Sequence, residues 1–155
     1  MSDELQSDEF WMEEALREAQ RAKAAGEVPV GAIVVCRGKV AGRGANRPIS
    51  SNDPTAHAEI IALREAGKQL GNYRLPDCVL YVTVEPCTMC AGALVHARVN
   101  RLVYGADDPK AGAVQSVLSV LNHDRLNHVI EVTRGVLASR CGELLQGFFR
   151  ERRKA

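Results

Sequence analysis

Two short motifs place an imidazole, a carboxylate and two thiols at the predicted starts of two helices. The first motif, residues 55–59, reads TAHAE, and the second, residues 86–90, reads PCTMC. A proline lies just before the first motif and opens the second, as is typical of a first helical turn. Helix N-termini carry partial positive charge, which favours the thiolate form of cysteine. The motifs therefore predict metal ligands at His57, Cys87 and Cys90.

Zinc is the metal that fits this set of ligands. It accepts histidine and cysteine ligands in a tetrahedron, and three protein ligands leave the fourth position open for water. Glu59 is then placed to take a proton from that water and to pass it to a substrate. Positions i and i+2 do not share a face inside a helix, so His57 and Glu59 converge only if the first turn points end-on at the metal.

A structural zinc site closed by a fourth ligand is the alternative interpretation, with Cys36, Cys78 or Cys141 as that ligand. The C-x-x-C spacing alone would favour it, whereas the H-x-E motif and the proline favour a catalytic zinc. Cys36 and Cys78 lie in apolar, strand-like segments, and Cys141 lies on the apolar side of the last predicted helix. We therefore expect all three to be buried, inert thiols.

Composition limits the chain to one domain, residues 1–155, because 155 residues of which 46% are hydrophobic suit a single core. The net charge of +1 indicates no particular partner. Five cysteines, an odd number that includes one C-x-x-C, favour a reducing cytosol over a disulfide framework. No apolar segment approaches the ~20 residues that span a membrane. The acidic stretch 1–9 does not resemble a targeting segment, so we expect a cytoplasmic protein without membrane contact.

Hydrophobic periodicity predicts an α/β fold in the order α-β-β-α-β-α-β-α-β-α. The first two strands form an antiparallel hairpin at the sheet edge, and helical crossovers make the later strands parallel. Open sheets of this kind bind ligands at the carboxyl ends of their strands, where Cys87 and Asp108 are expected. The predicted helices cover 10–25, 57–69, 86–97, 115–121 and a segment after 135; the strands cover 30–35, 40–44, 79–84, 101–106 and 129–133; residues 46–54 form a polar loop.

The pairing of H-x-E with P-C-x-x-C resembles the zinc-dependent cytidine deaminase superfamily of nucleoside and base deaminases. Resemblance to its bacterial tRNA adenosine deaminases covers almost the whole chain. The sequence departs from that pattern at Asp107, where the family usually has arginine, and at Pro109 and 114–116. The matching segments are 27–32, 46–49, 53–59, 72–75, 80–92, 105–106, 108, 110, 112, 127–128, 148–150 and 152–153.

This resemblance implies a cytidine deaminase-like three-layer fold and deamination of the wobble adenosine of a tRNA anticodon to inosine. It implies a homodimer that binds the anticodon stem-loop, with one zinc ion per subunit and no nucleotide cofactor. Zinc-activated water would attack C6 of adenine, while Glu59 protonates N1 and later the departing amine.

The resemblance also assigns substrate contacts. Asn46 would hold the base or its ribose, the backbone at Ala58 would face the purine edge, and Val30 and Ile49 would line the pocket. The physical alternatives are a simple turn at Asn46 or Asp108 and a solvated helix end at 152–154. An exposed aromatic ring and arginines suit base stacking and phosphate contact. The remaining predicted contacts are Pro86, Asp108, Phe149, Arg152 and Arg153.

Two other functions remain open from the sequence. A deaminase of free cytidine, cytosine or guanine would share the same chemistry, so only the pocket and the segment 148–154 discriminate between the substrates. A non-catalytic, zinc-stabilised binding module would instead need four protein ligands, and it would leave Glu59 without a role.

Overall fold

The computed structural model describes residues 6–154, which form a five-stranded mixed sheet covered by helices on both faces. Residues 1–5, which begin the acidic stretch noted above, and residue 155 lie outside the described residues. The helices are α1 (Asp8–Ala24), α2 (Pro48–Ser51), α3 (Ala58–Leu70), α4 (Thr88–Ala97) and α5 (Ala138–Lys154), and the strands are β1 (Gly31–Cys36), β2 (Lys39–Ala45), β3 (Cys78–Val84), β4 (Arg101–Ala106) and β5 (Glu131–Thr133).

The sheet has the strand order β2-β1-β3-β4-β5. Strand β1 pairs antiparallel with both β2 and β3, whereas β3, β4 and β5 run parallel. This confirms the predicted α/β class, the antiparallel hairpin at the edge and the parallel later strands. The carboxyl ends of β3 and β4 consequently lie side by side, as the parallel pairing requires.

Alternating side chains of the strands enter two separate cores, one on each face of the sheet. Ala32 and Val34 of β1 pack with α3 and α4 in the larger core, and Ile33 and Val35 pack with α1 and α5 in the smaller one. Two helices therefore cover each face, which confirms the three-layer arrangement.

Helix α3 lies unusually close to the edge strand β2 because two glycines face it. A Cβ at Gly44 would collide with the carbonyl of Ala58, and a Cβ at Gly42 would collide with that of Ala62. Glycine permits this backbone approach, which larger residues would prevent. The beginning of α3, where the first motif lies, is therefore fixed directly against the sheet.

The helix predicted at 115–121 is wrong, since this segment forms turns in the structure. The amides of Val114, Gln115 and Ser116 donate instead to the carboxylate of Glu85. This long-range partner satisfies backbone donors that would otherwise favour a helical turn. The loop predicted at 46–54 also differs, because it contains the single-turn helix α2, which begins at Pro48.

The free thiols predicted at Cys36 and Cys78 are also wrong. The two residues are partners in the β1–β3 ladder, with Cα atoms 4.3 Å apart, and they are joined by a disulfide. Sequence periodicity identifies each strand but does not give the register that pairs them. Cys141 is a free, buried cysteine, as predicted.

None of the helices within residues 6–154 is long and apolar enough to cross a membrane.

Candidate metal centre and active site

Both motifs occupy the positions predicted for them, at the starts of α3 and α4. His57 and Cys87 are the residues immediately before these helices, and both have extended backbone conformations. Neither side chain caps its own helix. Cys90 lies one turn into α4 and is buried. Because the side chains of His57 and Cys87 do not cap their helices, their donor atoms are available to bind a metal ion.

Three donor atoms converge at this place. The Nδ1 atom of His57 lies 3.5 Å from the sulfur of Cys87 and 3.5 Å from the sulfur of Cys90. These three residues form a group that could hold a metal ion, since their donor atoms all lie within 4.8 Å of one another. Zinc–sulfur and zinc–nitrogen bonds of ordinary length at tetrahedral angles would separate the atoms by about 3.6 Å. The donor set therefore fits a tetrahedral metal ion with one position left for another ligand.

The ionisation of the two cysteine side chains also favours a bound cation. A hydrogen bond with Cys90, aided by His57, lowers the pKa of the Cys87 thiol to about 3. The hydrogen bond with Cys87 and burial both raise the pKa of Cys90. Two thiolates this close are unstable without a positive charge between them, and metal binding releases the remaining proton.

Glu59 combines burial with a position beside these ligands. Its side chain is 4% exposed, and burial raises its pKa to about 7, against the opposing influence of His57. A carboxyl group with a pKa near neutrality can both take up and release a proton. The i and i+2 spacing does not separate the two side chains, because α3 begins at Ala58 and His57 lies outside the helix.

A second buried carboxylate, which sequence reasoning missed, lies between β3 and the two cysteines of the second motif. Glu85 is 3% exposed, and burial alone would raise its pKa. The hydroxyl and amide of Ser116 and the amides of Gln115 and Asp108 donate to it, and together they lower the pKa to about 2. Glu85 is therefore a permanent anion that binds backbone amides, and no local sequence signal identifies these partners.

A third buried carboxylate, also missed, organises the opposite side of the site. Glu27 is 1% exposed and accepts hydrogen bonds from the amides of Ile49 (3.1 Å) and Ser50 (2.6 Å). These bonds outweigh the effect of burial and lower its pKa. Glu27 thereby fixes α2, the segment in which the sequence predicted a pocket residue.

The predicted pocket residues before α3 lie in this fixed segment. Asn46 is buried, and its side-chain amide donates to the carbonyl of Val28 at 3.2 Å. The backbone amide of Arg47 donates to the carbonyl of Ala56, next to His57, which connects the segment to the metal ligands. Ile49 is 63% exposed. Val30 is half-buried, whereas Ala58 is fully buried.

The predicted contacts on the other side follow β3 and β4. Pro86 is buried, and its carbonyl accepts the amide of Ala113. Asp108 is half-buried, and its carboxylate accepts the amides of Lys110 and Ala111, which confirms a turn at this position.

The end of α5 divides the remaining predicted contacts into two kinds. Phe148 is buried, whereas Phe149 is 43% exposed. Arg152 donates to the carbonyl of Gly26 and lies 4.9 Å over the ring of Phe148. Arg153 is exposed. Phe149, Arg152 and Arg153 are thus open to a ligand, and Arg152 also attaches α5 beside Glu27.

Comparison with known proteins agrees with this geometry. A family model described as MafB19-like deaminase matches residues 6–153. The tRNA-specific adenosine deaminase of Haemophilus influenzae is 51% identical over 148 residues, which cover 95% of this chain and 86% of that protein. A solved structure from work on tRNA deaminases acting at the wobble position of transfer RNA has a TM-score of 0.85 at 48% identity, covering 88% of this chain and 99% of its own.

A more distant neighbour has another substrate. The guanine deaminase of Nitrosomonas europaea aligns with a TM-score of 0.78 at 28% identity, covering 93% of this chain and 85% of its own. The similarity in sequence and in structure, together with the convergence of His57, Cys87, Cys90 and Glu59, leads to one assignment. The chain belongs to the MafB19-like deaminase family and, within it, to the tRNA-specific adenosine deaminases.

Proposed function

We propose that this protein deaminates adenosine to inosine at the wobble position of a tRNA anticodon. The observation that supports it best is the buried Glu59, with its pKa near neutrality, beside the three converging donors His57, Cys87 and Cys90. A non-catalytic metal module would gain nothing from such a carboxyl group. The names of the close relatives support the choice of adenosine in tRNA over other substrates.

His57, Cys87 and Cys90 would hold one zinc ion per subunit. When bound, zinc supplies the Lewis acidity that makes a water molecule nucleophilic at neutral pH. Glu59 would take one proton from the attacking water and deliver it to N1 of the adenine ring as the oxygen bonds to C6. It would then take the remaining proton from the new C6 hydroxyl and transfer it to the amine, which leaves as ammonia. The raised pKa of Glu59 suits both steps, because the donor must also be able to act as an acceptor near neutral pH.

Residues on both sides of the ligands would position the nucleotide. Asn46 holds the base or its ribose, the backbone at Ala58 faces the purine edge, and Val30, Ile49 and Pro86 line the pocket. The rigid attachment of the segment around Asn46 to Glu27 and Ala56 supports this role, since a preorganised contact loses less entropy when the substrate binds.

The flanking nucleotides would contact Asp108 and the end of α5. Phe149 offers an exposed ring for stacking, while Arg152 and Arg153 provide positive charge for phosphates. Phe149→Ala should weaken binding of an anticodon stem-loop about tenfold, the value of one base–aromatic contact. The variant should leave turnover of any free nucleoside unchanged, and equal stem-loop affinity in both proteins would contradict the contact.

One experiment tests the function directly. The zinc-loaded protein is incubated separately with an arginine-tRNA anticodon stem-loop, free adenosine, free cytidine and free guanine. We expect inosine in the stem-loop at the wobble position and little product from the free compounds. Efficient turnover of a free nucleoside or base without turnover of the stem-loop would overturn the proposal in favour of a small-molecule deaminase.

We further propose that the protein is a cytoplasmic homodimer. An apolar groove of about 680 Å³ lies between α3 and α4, lined in part by Ile60, Leu63 and Ala93. Tyr73, which is 73% exposed, adds a large ring at its border. The resemblance implies a homodimer, and the apolar lining of this groove supports its being the surface that the second copy covers. Light scattering should give twice the mass of one chain, and Leu63→Asp should give a monomer.

A further inference from the structure

The loop 107–116 is attached to the segment immediately before Cys87. The amide of Glu85 donates to the carbonyl of Ala106, at the start of the loop, at 2.8 Å. The amide of Ala113 donates to the carbonyl of Pro86, also at 2.8 Å. The backbone groups of two consecutive residues, Glu85 and Pro86, therefore connect the loop to the chain just before Cys87, a predicted metal ligand.

The carboxylate of Glu85 adds hydrogen bonds to residues at both ends of the loop. Its Oε1 accepts from the amide of Asp108 at 3.1 Å and from the hydroxyl of Ser116. Its Oε2 accepts from the amides of Val114, Gln115 and Ser116 at 3.1, 2.8 and 2.9 Å. Buried carboxylates require such donors, and here the donors come from both ends of one loop. One side chain thus determines the distance between the two ends.

The backbone of the loop also packs closely against this carboxylate at Gly112. A Cβ on Gly112 would collide with the carboxylate of Glu85 and would lie 2.6 Å from the carbonyl of Asp108. The carboxylate therefore occupies the space that a side chain at position 112 would need, in contact with the middle of the loop as well as with its two ends.

We propose that Glu85 is a positioning residue for the reaction, whose carboxylate holds the loop 107–116, and with it Asp108, at a fixed place beside the metal-binding segment. This inference rests on the proposed function, in which Asp108 contacts a nucleotide that flanks the target adenosine. Glutamine cannot replace Glu85, because its side-chain NH2 group would face backbone N–H donors. Loss of the carboxylate should therefore affect the binding of RNA more than the binding of metal.

The test compares Glu85→Gln with the unsubstituted zinc-loaded protein. The KM for the anticodon stem-loop should rise about tenfold or more, because hydrogen bonds to a charged group are lost, while kcat changes less. Zinc content should stay at one ion per chain. Without RNA, the amides of Asp108, Val114 and Gln115 should exchange with solvent faster than in the unsubstituted protein.

Variants of neighbouring residues test whether the rise in KM follows the number of hydrogen bonds lost by the carboxylate. Ser116→Ala removes one hydrogen-bond donor and should raise KM less than Glu85→Gln does. Gln115→Ala removes only the side-chain contact with Asp107 (3.3 Å), keeps its own amide and should leave KM unchanged. Ser116→Ala keeps both the carboxylate and the backbone of the loop, so its smaller rise in KM still tests the inference if Glu85→Gln fails to fold.

Two results would overturn the inference. Unchanged KM and unchanged amide exchange in folded Glu85→Gln would show that the loop keeps its place without the carboxylate. Loss of zinc with an unchanged KM would assign Glu85 to the metal site instead. If the unsubstituted protein makes no inosine from the stem-loop, the proposed function fails, and amide exchange still decides whether Glu85 holds the loop.

Discussion

Glu59 differs from Glu27 and Glu85 in its ionisation, although the three glutamates are almost equally buried. All three are at most 4% exposed. The pKa of Glu59 is raised to about 7 by burial, whereas that of Glu85 is lowered to about 2 and that of Glu27 also falls below its ordinary value. The difference lies in the backbone amides that donate to Glu27 and Glu85, which come from segments distant in sequence, helix α2 and the loop 107–116 respectively.

This contrast shows how a protein can use the same side chain for two tasks. Where amides supply hydrogen bonds, a buried carboxylate stays ionised and orders the chain around it. Where burial is not compensated, the carboxyl group can carry a proton at neutral pH, at a cost to stability. Only the second kind is suited to acid–base chemistry, and it lies next to the three converging donors.

Glu59→Gln should have the largest effect on turnover. Inosine formation under single-turnover conditions should fall about 10²–10⁴-fold, because glutamine cannot transfer the proton. Metal content should not change, and the protein should resist urea at least as well as before, since a desolvated carboxylate has been removed. Near-normal turnover in this variant would reject Glu59 as the proton carrier. Glu65→Gln, at an exposed position of the same helix, is the control.

Glu27→Ala should have the opposite profile, with its main effect on stability. The amides of Ile49 and Ser50 would lose their acceptor, so the free energy of unfolding should fall by about 2–3 kcal/mol in urea titrations. Metal should still bind, because no ligand has changed. Glu143→Ala, at an exposed position, controls for loss of a carboxylate as such, and an equal effect of the two substitutions would contradict the role of Glu27.

A smaller effect should appear in the pH dependence of stability. The pKa of Glu27 is lower in the folded protein than its ordinary value of 4.5, so its contribution is present above pH 4.5 and is lost as the pH falls below that value. Glu27→Gln lacks this contribution. The difference in unfolding free energy between the two proteins should therefore shrink between pH 6 and pH 3, and a constant difference would show that Glu27 does not titrate in this way.

The sequence predicted the parts of the fold that depend on local pattern. The buried strands β1, β3 and β4 follow from apolar segments, and the helices α3 and α4 begin within two residues of their predicted starts. Spacing and residue type also predicted the group His57, Cys87 and Cys90, whose donor atoms converge in the structure, because zinc chemistry restricts both.

Apart from the missed helix α2, the errors involve partners distant in the chain. The segment 115–121 reads as a helix until Glu85 is known to accept its amides. Cys36 and Cys78 read as separate buried thiols until the strand register joins them. Glu27 reads as one more charged residue after a helix. Periodicity carries no information about such contacts, which exist only after the chain has folded.

The glycines of β2 have a consequence for the group of donors at the start of α3. Gly44 allows the carbonyl of Ala58, the residue that follows His57, to lie against the edge strand. A Cβ there would collide with that carbonyl, so the start of α3 would have to move. A substitution at the margin of the sheet can therefore disturb the donor group without changing any of its side chains.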